Sequence, residues 1–167
     1  MARFTSTVIS SAALVATAPS GATANALFAN LNASATAGYK MRRITLGVIA
    51  GATTPTSQQL SVALVRTTAR GTATSTFAPK AMDPNSVQTS AITGLDTAWS
   101  TVPTATWTAA AWFYLITFNS QSGVDLPYEL LEELVCGTGV ANGIAFINVN
   151  NTLPASHSYT LTVEHEE

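Results

Sequence analysis

The feature of this chain that most constrains its fold is a strict two-residue alternation near its end. Between residues 158 and 164, the apolar side chains of Tyr159, Leu161 and Val163 alternate with hydroxyl-bearing and acidic ones. Successive side chains of a β-strand point to opposite faces of a sheet. The pattern therefore predicts a strand with one face in a core and the other face in solvent.

Other segments extend this prediction to the rest of the chain. Two stretches with the same alternation are expected to form half-buried strands, and their apolar positions are Ile44, Leu46 and Val48, then Leu60, Val62 and Leu64. Residues 112–118 and 144–149 are apolar at most positions and rich in aromatic and β-branched side chains. Such runs are typical of strands covered on both faces, and we expect 112–118 to lie in the middle of a sheet.

Turn-forming residues separate these segments. Clusters of Gly, Pro, Asn, Ser and Thr occur at 50–55, 119–123, 136–139 and 150–154. Weaker strands rich in small residues are expected at 4–15 and 24–31. Short strands separated by such turns predict an all-β fold, specifically an antiparallel, jelly-roll-like β-sandwich.

One segment leaves its secondary structure open. Residues 125–137 have an acidic start, an early proline, leucines at helical spacing and a terminal glycine, which locally favour a helix. The stretch 130–135 is short and lies among strands, which favours a strand instead. We expect a strand here, with a short helix as the alternative.

Length and cysteine content indicate one self-sufficient domain. The chain has 167 residues, enough for a single β-sandwich domain over 1–167 with a sizeable core. Its lone Cys136 cannot form an internal disulfide, so the fold must rely on packing. The segment from about 68 to 95 looks irregular and is expected to be a long surface loop.

Charge excludes several classes of partner. Charged residues make up 10% of the chain and the net charge is -2, whereas nucleic-acid binding needs a basic stripe.

No run of 18 apolar residues is present, which argues against a transmembrane helix. Ser10 and Ser11 interrupt the apolar stretch near the start, so we do not expect a secretory leader there.

No catalytic, cofactor-binding or metal-binding residues are expected. His157 and His165 bracket the last strand, and eight residues at about 3.3 Å each separate them by about 26 Å, too far to share a metal. We expect both to lie on the surface or in loops, with a metal bound on an oligomer axis as the alternative. Cys136 has no histidine near it in the sequence, so a buried or turn cysteine is expected rather than a nucleophile.

The remaining charged clusters have structural interpretations. Asp125, Glu129, Glu132 and Glu133 form an acidic group, which we expect to be a solvated edge; the alternatives are calcium binding and glycosidase chemistry, which needs two facing carboxylates. The basic group comprises Lys40, Arg42 and Arg43. In a regular strand the two arginines face opposite ways, which favours edge protection or a salt bridge over a nucleic-acid patch.

Four residues are candidates for a partner interface: Arg3, Phe4, Trp99 and Trp107. The two tryptophans are flanked by Thr and Ser, and exposed tryptophans stack on sugars or anchor interfaces. Trp112, within an apolar run, is expected in the core. Sheet proteins commonly protect their edges with lysine, but this chain has only Lys40 and Lys80. We therefore expect the edge strands to be covered or to pair with a partner, as in a subunit of a permanent assembly.

The order of these segments resembles small jelly-roll proteins found among the structural proteins of tailed bacteriophages. The resemblance rests on an N-terminal Ala/Ser/Thr strand followed by the segments 27–33, 41–46, 60–64, 132–135, 139–145 and 159–164. It implies a virion protein assembled in the host cytoplasm, for instance a homotrimeric decoration (cement) protein that binds the major capsid protein or other virion subunits. The family contributes no catalytic residues, so a small-molecule substrate is not expected. The alternative is a tail or fibre adhesin that binds host surface glycans.

Overall fold

The computed structural model describes residues 2–10, 26–52, 54, 56–83, 85 and 88–167. Strands dominate these residues, with one short 3-10 turn at Ala109–Ala111. The strands are β1 (Arg3–Ile9), β2 (Leu27–Asn32), β3 (Tyr39–Ile49), β4 (Gln59–Ala69), β5 (Thr72–Phe77), β6 (Lys80–Ala81), β7 (Gly94–Thr101), β8 (Thr104–Ala105), β9 (Trp112–Asn119), β10 (Val124–Pro127), β11 (Leu134–Cys136), β12 (Gly143–Val149) and β13 (Ser158–Glu166).

The strands form two antiparallel sheets packed face to face. Sheet A has the order β10-β3-β13-β1-β6, and β11 also pairs with β3. Sheet B has the order β5-β7-β2-β12-β4-β8, and β9 also pairs with β4. The chain passes from sheet A to sheet B and back at its first strands, as in a jelly roll. The predicted all-β sandwich is confirmed.

Alternating residues of both sheets build the core between them. Tyr159, Leu161 and Val163 of β13 are fully buried, as the sequence predicts, and Ile44 and Leu46 of β3 are buried beside them. Apolar side chains from the inner face of sheet B meet this layer. Burial of this apolar area is the main driving force for the fold.

Sheet B is covered on its outer face as well. A second apolar cluster there includes Leu27, Ala63, Val65, Ala145 and Ile147. Strand β4 is consequently buried on both faces at its centre, so the prediction of a half-buried strand at 60–64 is wrong. Strand β12 is buried at every position and lies between β2 and β4, as expected for the run 144–149.

The run 112–118 is not in the middle of a sheet. It forms β9, which pairs with β4 alone, and the side chains of Leu115 and Thr117 are exposed. Its apolar character on both faces has a different cause from the one predicted. One face contributes Ile116 and Phe118 to the core, while Trp112 packs on the second apolar cluster.

The segment 128–133 forms neither the predicted strand nor the alternative helix. The chain turns at residues 130 and 131, and a strand begins only at Leu134. Leu131 has a φ of 75°, which lies in the left-handed region and is incompatible with both a right-handed helix and a strand at that residue. The turn joins β10 to β11, and both of these strands pair with β3. The strands β10 and β11, with the turn between them, therefore both lie alongside the single long strand β3.

The predicted long surface loop at about 68–95 contains several strand segments. It contains the end of β4, all of β5 and β6, and the first residues of β7. Strand β5 is rich in threonine and lies at an edge, where polar side chains remain in solvent, so no alternation marked it in the sequence. At the N-terminal end, β1 and β2 coincide with the described parts of the predicted weak strands to within one residue at each end, and the parts of those predictions at 11–15 and 24–25 lie outside the described residues.

Within the described residues, the structure contains no helix with the length and apolar character that a membrane crossing requires.

Candidate functional site

The candidate interface tryptophans pack against the chain's own second apolar cluster. Trp99, Trp107 and Trp112 are half-buried and lie over the outer face of sheet B. The Trp112 indole N–H donates to the Trp107 carbonyl at 3.0 Å, which holds the segment before β9 against this face. Trp112, predicted in the main core, belongs to this outer layer. Much of each ring surface is thereby used within the chain.

The other two candidate interface residues lie next to each other on β1 and differ in exposure. Arg3 is exposed, and its Nε donates to Glu166 at 3.2 Å. Phe4 is buried and stacks on the His165 ring, with centroids 5.8 Å apart. Arg3 therefore presents a surface to solvent, while Phe4 contacts the interior.

Both histidines are buried; His157 lies in the loop before β13, as one of the two expected placements, whereas His165 lies within β13, so the expectation of a surface or loop histidine is wrong for His165. His157 is 2% exposed and its Nδ1 lies 3.0 Å from the Ala155 carbonyl. His165 is fully buried between Phe4 and Tyr39, with its Nε2 3.4 Å from Glu167. His165 is buried because it continues the inward alternation of β13 beyond Val163.

Burial of His165 predicts a loss of stability on mild acidification. Desolvation lowers the pKa of the imidazole, although the Glu167 carboxylate opposes this. The unfolded histidine, with a pKa of about 6.5, takes up its proton first as the pH falls, so the unfolded state is favoured from there down to the lower folded pKa. We expect urea midpoints to fall between pH 7 and the folded pKa, and His165→Gln to flatten this slope. An unchanged slope in the variant contradicts the assignment.

A chain of ion pairs crosses the outer face of sheet A. Arg42 pairs with both Glu133 and Glu166, and Glu166 also accepts from Arg3. These contacts join β1, β13, β3 and the turn before β11. The hydrogen bond from Arg42 is the main reason that the pKa of Glu166 is lowered. Glu133 is therefore not part of a solvated edge, because its side chain is only 3% exposed.

Arg42 and Arg43 do not face opposite ways as predicted. The register of β3 against β13 shifts between Glu164, which faces Arg43, and His165, which faces Met41. This bulge makes Arg42 an extra residue, so both arginines point to the outer face. Strand β3 is also internal to sheet A, so the salt-bridge interpretation is confirmed and the edge-protection interpretation is wrong.

The second arginine forms a separate, exposed ion pair. The Arg43 Nε donates to Asp125 at 2.7 Å, and Glu164 lies 3.9 Å from the same guanidinium. The Arg43 hydrogen bond lowers the pKa of Asp125. Glu129 and Glu132 are exposed, as expected for a solvated edge. The acidic group is thus divided between two arginines and solvent, an arrangement unlike two carboxylates facing across a sugar.

A buried polar cluster on the outer face of sheet B was not expected from the sequence. Asp96 on β7 is fully buried and accepts two hydrogen bonds from Arg70, each 2.7 Å long. It also accepts from the Asn32 amide at 2.8 Å and from the Thr76 hydroxyl. Asn30 in turn donates to Asn32 at 2.7 Å. Asparagines two residues apart in a strand share a face, and this was the available signal.

The closest packing of this cluster occurs at Gly143. A Cβ added there would lie 2.8 Å from the Thr67 hydroxyl oxygen and 2.9 Å from both the Asn30 side-chain oxygen and the Leu31 carbonyl. These contacts leave room only for glycine between β2 and β4. Gly143 therefore allows the polar side chains to pack over the strand that separates them.

A cleft of about 390 Å³ lies near the start of β4. It is lined by Val48, Ala50, Thr56, Ser120, Gln121 and His157. The lining contains no carboxylate, so it does not provide a general acid and base pair. Among the described residues, no group of three or more His, Cys, Asp and Glu side chains is placed to hold a metal ion. Cys136 is buried, and desolvation raises the pKa of its thiol, which disfavours the nucleophilic thiolate.

The large apolar side chains with the highest exposed fractions lie around β11. Leu130 and Leu131 at the preceding turn are 70% and 89% exposed, and Val135 and Val140 are also exposed. We call these four residues the β11 ridge. Leu130 and Leu131 are adjacent in the chain and both exposed, and neighbouring exposed apolar groups are typical of docking surfaces. No protein-family model matches the chain, and no similar protein was found among curated sequences or solved structures.

Proposed function

We propose that the protein is a non-enzymatic virion structural protein: a capsid decoration (cement) protein that binds and stabilises the outside of a phage head. In this proposal the protein assembles in the host cytoplasm, and three copies associate, as the resemblance to phage jelly-roll proteins implies. Its partners are other copies of itself and the major capsid protein.

The observation that carries this proposal is the β11 ridge. Leu131 is 89% exposed and holds a left-handed backbone conformation, which costs about 1–2 kcal/mol for a residue other than glycine. Its neighbour Leu130 is also exposed. Strain retained at an exposed apolar tip suits a contact made outside the folded chain. We infer that the ridge inserts into an apolar depression of the shell.

The charge distribution supports the same proposal. Arg3, Arg42, Arg43 and Arg70 are all engaged by carboxylates of this chain. The outer face of sheet A is otherwise rich in threonine, including the Thr7 and Thr162 hydroxyls that lie 3.0 Å apart. A surface with paired charges and short side chains loses little rotamer entropy when a partner covers it.

Binding to heads that lack the protein tests the proposal. Heads of the phage that encodes this chain are prepared without it, mixed with the purified protein, and heated while rupture is followed by light scattering. We expect the native protein to sediment with the heads and to raise their rupture temperature. The double variant Leu130→Ser and Leu131→Ser should bind at least about tenfold more weakly, a change worth about 1.4 kcal/mol.

A matched control changes two exposed apolar side chains elsewhere, at the end of β5 and just after β7. The double variant Phe77→Ser and Val102→Ser leaves both the β11 ridge and the outer face of sheet A unchanged and should bind heads as the native protein does. The single variant Leu131→Gly relieves the backbone strain, so it should be at least as stable as the native protein and yet bind more weakly. A native protein that does not bind heads contradicts the proposal, and glycan binding by that protein would favour the adhesin.

A further inference from the structure

The edge strands of the two sheets differ in their protection against pairing with other chains. Short length, charge, proline and bulges all discourage such pairing. In sheet A, β6 has two residues including Lys80, and β10 contains Asp125 and Pro127. In sheet B, the register of β5 against β7 shifts three times. Among the described edge strands, β9 alone has eight residues with no charge and no proline, and its one register shift against β4 lies between Trp112 and Tyr114, before the residues at its centre.

The open side of β9 presents unused backbone groups. The Ser120 N–H donates to the Gln58 carbonyl at 2.9 Å, which continues the register of β9 against β4. Hydrogen-bonded pairs alternate along an antiparallel ladder, so Leu115 and Thr117 direct their N–H and C=O groups away from β4. Asn119 points the same way, but its carbonyl already accepts from Ser122 and Gly123. Within the described residues, no strand pairs with this side of β9.

We propose that β9 pairs antiparallel with β9 of a second copy of this chain, about a two-fold axis at Ile116. Leu115 then lies opposite Thr117 of the second copy, and each of these two pairs exchanges both backbone hydrogen bonds. This register avoids the Asn119 carbonyl. The two copies of sheet B become one continuous antiparallel sheet.

The side chains of β9 fit a copy of themselves. A two-fold contact places a strand beside its own sequence, so any charge on it meets a like charge, and β9 has none. Leu115, which is 52% exposed, meets the small Thr117 of the second copy on the outer face. On the inner face, Tyr114 meets Phe118 of the second copy, and aromatic pairs across strands are favourable.

This contact uses residues other than those of the β11 ridge. The ridge consists of residues of β11 and of the turns on either side of it, whereas the pairing uses the backbone of Leu115 and Thr117 at the edge of sheet B. A two-fold contact doubles whatever unit it joins, a single chain or a threefold assembly. An edge contact of this size is small, so the association is expected to be weak and to depend on concentration.

Sedimentation of the purified protein at concentrations up to about 1 mM tests the pairing. Thr117→Pro removes an N–H that points away from β4, and edge strands tolerate proline at such positions. We expect the native mass to be twice that of Thr117→Pro at the highest concentration. Amide exchange at Leu115 and Thr117 should slow as the native protein is concentrated.

Two further variants keep the test decisive. Thr74→Pro places the same substitution on the edge strand β5 and should keep the native mass. Leu115→Lys adds a charge at an exposed side chain, so it replaces Thr117→Pro if circular dichroism shows that the proline variant is unfolded. A native mass retained in Leu115→Lys, or a native protein that does not self-associate, overturns the pairing. If the native protein does not self-associate and Thr117→Pro loses head binding, the edge of β9 contacts the shell instead of a second copy.

Discussion

Replacing Asp96 with alanine is expected to lower the free energy of unfolding by about 3–5 kcal/mol. Asp96 is fully buried and is the acceptor for the Arg70 guanidinium, the Asn32 amide and the Thr76 hydroxyl. Alanine leaves all of these donors without their acceptor; the Asn32 amide is fully buried, while the Arg70 side chain is 29% exposed. Breaking a buried ion pair by removing one partner is costly, because the other charge stays uncompensated. Equilibrium urea unfolding of the purified variant measures the change.

Asp83→Ala is the matched control for Asp96→Ala. Asp83 is exposed and accepts only a local hydrogen bond, from the Asn85 backbone N–H at 2.9 Å. Its removal should change the free energy of unfolding by less than about 1 kcal/mol. Asp96→Asn keeps the shape of the side chain and should fall between the two. A loss below about 1 kcal/mol in Asp96→Ala would show that the cluster contributes little to folding.

Replacing Phe146 with alanine should cost a similar amount, about 3–5 kcal/mol. Phe146 is fully buried in β12, at the centre of sheet B, and its ring lies 6.3 Å from that of Phe28. Removing the ring loses its transfer free energy and leaves a cavity that rigid strands on both sides cannot close. Thermal and urea unfolding, monitored by circular dichroism, both report the loss.

Phe77→Ala provides the comparison for Phe146→Ala. Phe77 lies at the end of β5 and is 47% exposed, so its removal should cost less than half as much. Phe146→Leu should lose less than Phe146→Ala because it retains most of the volume. Equal losses at Phe77 and Phe146 would contradict the placement of the core.

The fold class was predictable because the main strands follow local rules. Tyr159, Leu161 and Val163 alternate with polar residues, and a strand converts that alternation directly into one buried face. The run 144–149 was also interpreted correctly, since a strand between two others and between two apolar layers needs apolar residues at most positions. These features depend on residues that are close together in the chain, so they can be read directly from the sequence.

The errors arose where contacts distant in sequence decide the outcome. Residues 112–118 have the composition of a central strand because one face packs on the core and Trp112 packs on the second cluster, yet they pair with β4 alone and so lie at an edge. Arg42 and Arg43 share a face because β13 opposite them carries one residue fewer. His165 is buried because Phe4 and Tyr39 close over it.

The candidate site was predicted less well than the fold. Arg3 is exposed as an interface residue should be, whereas Phe4 is interior and Trp99 and Trp107 are half-buried on their own sheet. The two features that carry the proposals, the β11 ridge and the open side of β9, have no signature of their own. Leucines at 130 and 131 look like core residues until the turn that exposes them is known.

The sequence by itself determined that this chain forms two layers of strands, because alternation and apolar runs act within a single strand. Only the tertiary structure decided which strand became an edge, which charges found partners and which leucines remained in solvent. Those outcomes depend on pairing between residues far apart in the chain, such as Arg42 with Glu166 and β4 with β9. No local pattern encodes such pairings, because each depends on how the whole chain closes around its core.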